Sequence, residues 1–148
     1  MLREQIFVYC ERGLDPAFWA EPLNALSNAG FLIAAALAAI ALARRGGRPT
    51  PLEWLIVGLV AAIGVGSFLF HTFAERWAGL GDTVPIMLFM LFYLGAALRE
   101  FLDLNAGPTA LALAAFSAAV YAALTVRCDG GSCLNGSLGY APALAALC

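Results

Sequence analysis

Charge is scarce in this chain. Only 12% of its 148 residues are charged, the net formal charge is -2, and its basic residues cluster nowhere except at Arg44, Arg45 and Arg48. Such a surface cannot neutralise a phosphate backbone, which excludes nucleic acid as a partner. Histidine is scarcer still, with His71 the single one of the chain, so a closed site of three imidazoles cannot be assembled from these residues alone. There is no internal repeat and no low-complexity tract beyond alanine-rich stretches, and one domain over 1–148 is the economical description.

What fills the chain is apolar. Hydrophobic residues make up 62% of it and the mean hydropathy is +0.84, too apolar for a soluble globule of this length. The few charges punctuate uncharged runs at 22–43, 54–74, 83–98 and 104–126. Each approaches or exceeds the roughly 20 residues a helix needs to cross a hydrocarbon core about 30 Å thick. The third run is short, but Arg99 and Glu100 can snorkel to the interface while Phe101 and Leu102 extend its apolar length. A secretory signal is a poor description of the first run, because four acidic residues precede it in place of a short basic segment.

The expected fold class is therefore all-α, a multi-pass transmembrane helix bundle of four complete spans. A partial fifth follows at 138–148, where the sequence turns apolar again for about half a span, so that the chain reads as cut short. Arg44, Arg45 and Arg48 place the first loop on the cytoplasmic side, which puts the N-terminus and the 127–139 loop outside, in a periplasmic or lumenal space. Oxidation is possible there. Cys128 and Cys133 flank a flexible Asp129, Gly130, Gly131, Ser132 stretch and form a local disulfide more readily than a zinc site. Ala, Gly and Ser within the spans let helices approach closely in lipid.

Polar residues in membrane helices are costly and each needs a reason. Glu21, Asn24 and Asn28 recur at helical spacing at the start of span one, behind Tyr9, Cys10, Glu11 and Arg12, with Asp15 between. They either hydrogen-bond within the bundle or surround a hard cation, in which case Glu11, Glu21 and backbone carbonyls would hold calcium. Ser67 and His71 are four residues apart near the end of span two and share a face. Asp82 follows eleven residues after His71, across a loop short enough to make spans two and three antiparallel neighbours, so it returns to the same depth. A hydroxyl, an imidazole and a carboxylate converge. Arg99, Glu100 and Asp103 read as a solvated helix end.

Taken together, Tyr9, Cys10, Glu11 and Arg12, then 18–28 (FWAEPLNALSN), then Gly66, Ser67, Phe68, Leu69, Phe70, His71 and Thr72, then Asp82, Thr83, Val84, Pro85, Ile86 and Met87 resemble the motifs of the alkaline ceramidase family. That family belongs to a superfamily with the adiponectin and progestin receptors. The resemblance covers roughly the first two thirds of a family member. It implies a seven-helix fold and a buried zinc held by three histidines, one matching His71, with catalytic positions matching Ser67 and Asp82. It also implies a calcium site whose side chains match Glu11 and Glu21.

The implied reaction is hydrolysis of the amide of ceramide or a related N-acyl lipid to a fatty acid and a sphingoid base. A receptor-like or structural membrane protein of the same fold is the alternative. Two departures stand out: Val8 and Gly13 occupy places where the family commonly has Asp and Asn, and the family's His-x-x-x-His motif is missing. The remaining ligands are expected on further helices, and the 148 residues alone are expected to be inactive.

Overall fold

The computed structural model describes residues 2–7, 9–128 and 131–146, with the backbone alone at 131–133, 135 and 136; Val8 lies outside the described residues. Two compact units make up the chain, Met1–Phe92 and Tyr93–Cys148.

In the first unit, α1 (Pro22–Ser27) and α2 (Ala29–Arg44) form one apolar stretch interrupted at Asn28. The interruption has a local cause. The Asn28 side-chain amide donates to the Asn24 carbonyl at 2.8 Å, and Phe31 N–H takes the Asn28 carbonyl three residues back, so the turn tightens. The next helix, α3 (Pro51–Phe73), starts where Thr50 and Glu53 form a capping box with Pro51 at the first helical position. It ends at Ala74, which adopts a left-handed conformation (φ 51°) and donates its N–H to the Phe70 carbonyl. The N-terminal segment then stitches itself across this corner. Ile6 N–H donates to the Ala74 carbonyl at 2.6 Å, while Arg76 and Trp77 donate to the carbonyls of Glu4 and Leu2.

Helix α4 runs from Arg76 to Phe101 and so begins well before the uncharged run at 83. The charge-free stretch understates its length because Arg76 and Asp82 are helical residues. Pro85 lies inside α4 and carries no N–H, which leaves the carbonyl of Gly81 without its α-helical donor. That carbonyl faces α3. A Cβ placed on Gly66 would lie 2.0 Å from Gly81 O and 3.0 Å from Asp82 N, so only glycine admits this approach of the two backbones.

The second unit holds the end of α4, α5 (Ala106–Thr125), a two-residue antiparallel ribbon of β1 (Arg127–Cys128) and β2 (Gly131–Ser132), a 3-10 stretch at Cys133–Tyr140 and the short α6 (Ala141–Ala145). Leu113 of α5 packs toward Gly95 and Leu124 toward Gly139. Cys128 is disulfide-bonded; the side chain of Cys133 lies outside the described residues. Among the described residues, four stretches are long and apolar enough to cross a membrane: Pro22–Arg44, Pro51–Phe73, Arg76–Phe101 and Ala106–Thr125. The chain is a multi-pass membrane protein of helices, as its charge-free runs predict. Of the apolar C-terminal run, residues 138–140 end the 3-10 stretch and 141–145 form α6, in place of the start of a fifth span; 147 and 148 lie outside the described residues.

Candidate active site

The last turn of an α-helix leaves its carbonyls without partners, and α3 ends inside the protein. Arg12 resolves the problem. Its Nη2 donates to the carbonyls of His71 at 2.9 Å and Thr72 at 3.1 Å, a cation at a helix C-terminus where the dipole favours one. Its Nη1 donates to the carbonyls of Asp15 at 3.1 Å and Ala17 at 2.8 Å, and its Nε donates to Glu21 Oε1 at 2.6 Å. All five guanidinium N–H groups are therefore used, and the side chain is 0% exposed.

Glu21 stands between Arg12 and His71. One oxygen takes the Arg12 Nε–H, while Oε2 lies 2.6 Å from His71 Nδ1 and 3.3 Å from the Asn24 amide that donates to it. Burial raises the carboxyl pKa, but the hydrogen bonds from His71, Arg12 and Asn24 together outweigh it and hold Glu21 below its ordinary value. An ionised carboxylate only accepts, so the proton of this contact belongs to His71 Nδ1. In the neutral ring this contact fixes the tautomer, with Nε2 as the nitrogen that carries the lone pair. The imidazole is also clasped by aromatic rings, Tyr9 at 4.7 Å between centroids and Phe70 at 5.8 Å.

One turn before His71, Ser67 is buried on α3. Across the glycine contact, Asp82 is buried on α4, close to the Ser67 hydroxyl and within electrostatic reach of His71. Its Oδ1 is the one buried side-chain oxygen or nitrogen among the described residues without a hydrogen-bond partner. A carboxylate oxygen left unsatisfied in a dry site costs about 1–3 kcal/mol or more, and such an atom marks a place where a ligand or water belongs.

The sequence grouping of Ser67, His71 and Asp82 is thus brought together. Glu11 and Glu21, the carboxylates assigned to calcium, serve separate partners. Both oxygens of Glu11 accept from the N–H groups of Leu23 and Asn24 and so cap α1, and Glu21 belongs to the Arg12 and His71 network. Among the described residues no three His, Cys, Asp or Glu side chains are grouped to enclose a metal ion. The donor set nevertheless fits one zinc ligand well. A neutral imidazole whose other nitrogen is bonded to a carboxylate is the usual form of a zinc-binding histidine.

Arg12 is the residue that sequence reasoning missed. Its signal was an arginine directly after Glu11 in a segment where acidic residues outnumber basic ones.

We expect the Gly66→Ala protein to lose the site, because the added methyl needs the 2.0 Å that Gly81 O occupies. Its effect should appear as a lower melting temperature together with lost activity. A variant that melts like the parent would show that the two helices do not need this contact.

Four apolar helices long enough to span a membrane, with an imidazole, a hydroxyl and a carboxylate buried together at the end of α3 and the start of α4, define a polytopic membrane protein with a polar cluster among its helices. A sequence model of the ceramidase family matches residues 9–129. The chain belongs to the ceramidase family. No curated protein and no solved structure matches it.

Proposed function

We propose that this protein is a zinc-dependent membrane hydrolase that cleaves the amide bond of ceramide or a related N-acyl lipid, releasing a fatty acid and a sphingoid base. Membership of the ceramidase family supports the general reaction. The observation that carries the finer reading is the unpartnered Oδ1 of Asp82 beside Ser67 and a carboxylate-bound His71.

His71 Nε2 would hold the zinc, and it is the one imidazole ligand this chain offers of the three protein ligands a catalytic zinc commonly takes. When bound, zinc lowers the pKa of its water from about 16 toward 7 and so supplies hydroxide near neutral pH. Asp82 accepts the proton of the attacking water and returns it to the leaving nitrogen. The Ser67 hydroxyl donates to the developing oxyanion. Ser67 does not act as a nucleophile, since no base is better placed to activate it than to serve the water. Glu21 and Arg12 hold the imidazole in the tautomer that leaves Nε2 free. Between α1, α2 and α3, an apolar cleft of about 300 Å³ lined by Leu26, Leu32, Val65 and Phe68 suits a hydrocarbon chain.

The test is metal removal from the detergent-purified gene product. Chelator treatment should abolish ceramide hydrolysis and added zinc should restore it. Full turnover by metal-free protein would overturn the proposal.

A further inference from the structure

We propose that Arg12 is a resident cation: its guanidinium occupies an oxygen cage, made by Glu21 Oε1 and the carbonyls of Asp15, Ala17, His71 and Thr72, that would otherwise require a bound calcium ion. The cage has the chemistry of a cation site. One carboxylate oxygen and four carbonyl oxygens, all buried or partly buried, are the ligand types of a hard divalent cation. Here each of the five points at a guanidinium N–H, and none is left over.

Its charge suits a monovalent cation. Glu21 is the one carboxylate in the cage, so a monovalent cation leaves the buried pair neutral, whereas a divalent ion would leave a net positive charge in a dry site. The neighbouring acids do not alter this. Glu11 is committed to the first turn of α1, and Asp15 Oδ1 accepts the Ala17 N–H at 2.9 Å. Val8 and Gly13, on either side of Cys10 and Glu11 in the sequence, supply no side-chain oxygen. The cage has been fitted to an arginine, and calcium cannot enter without displacing it.

In the terms of the hydrolase reading, on which this part alone rests, Arg12 is a positioning residue. It orients Glu21, and Glu21 orients His71, so the site is set without any requirement for calcium.

The experiment measures melting temperature and calcium-45 binding of the detergent-purified protein, with calcium chloride and with EGTA. The parent should bind no calcium at this site and melt at the same temperature in both. Arg12→Ala should melt lower in EGTA and recover part of the loss in calcium, because five oxygens are vacated and water can complete the shell. Arg12→Lys keeps one charge with three donors; it should fall between the two and remain indifferent to calcium. Adding Glu21→Gln to Arg12→Ala should erase the calcium response.

Calcium binding by the parent that Glu21→Gln removes would overturn the proposal, as would a folded Arg12→Ala protein indifferent to calcium. Should Arg12→Ala fail to fold, the parent and Arg12→Lys still decide the matter. None of these measurements uses ceramide turnover, so a failed hydrolase reading would leave their outcome intact.

Discussion

Asp82→Asn should retain zinc and lose turnover. The amide is the same size as the carboxylate, so the packing between α3 and α4 is kept, and His71, the proposed zinc ligand, is untouched. What disappears is the buried carboxylate beside Ser67, and with it the proposed proton acceptor. A positioned general base contributes about 10²- to 10⁴-fold, and the loss should fall in kcat more than in KM because the group acts on the reacting atoms. Zinc content by elemental analysis and ceramide hydrolysis on the same preparation make the check. An Asp82→Asn protein that keeps its metal and cleaves ceramide as fast as the parent would remove Asp82 from the mechanism.

Glu21→Gln should be the most destabilising conservative substitution in the first unit. Breaking a buried ion pair by neutralising one partner costs about 3–5 kcal/mol, because the other charge stays buried without compensation. Arg12, with its side chain 0% exposed, is that charge. The pH dependence has a definite sign. The Glu21 carboxyl is held below its ordinary value near 4.5, so between the folded and unfolded pKa values the unfolded chain binds more protons. Its contribution to stability is complete above about pH 4.5 and is lost as pH falls through the folded value. The gap in melting temperature between parent and Glu21→Gln should therefore be wide at neutral pH and close under strong acid. A gap independent of pH would mean that Glu21 acts through its shape and not its charge.

Much of this architecture is legible in the sequence because lipid allows so few solutions. An uncharged run of about 20 residues has the length of a span, and each of the four runs corresponds to one of the four described stretches long and apolar enough to cross a membrane. Ser67 and His71 are legible for a related reason, since i and i+4 share a helical face, and the short connection to α4 brings Asp82 back beside them. The start of α4 was less visible. Arg76 and Asp82 interrupt the apolar signal, although the helix runs through both.

Glu21 was visible as a buried carboxylate but not in its purpose, because a carboxylate serves a metal ion, a guanidinium or an imidazole equally well. Only the long-range partner decides, and Arg12 reaches it from outside any span. The spacing from Asp82 to Pro85 gained a meaning that no periodicity conveys. The proline frees the Gly81 carbonyl against Gly66 and so sets the distance between the two helices that carry the site.

The contacts from Arg12 to the carbonyls of His71 and Thr72 also bear on biogenesis. They join residues 59 and 60 positions apart. At roughly 5–20 residues per second, a ribosome needs on the order of 3–12 s to make the intervening chain. For that interval the arginine has no acceptors at the end of α3 and keeps its hydration shell, while the first span is already available for insertion. The contacts that tie the N-terminal segment to the end of α3 consequently form only after α3 has been made, and the Arg12 side chain joins distant parts of the chain.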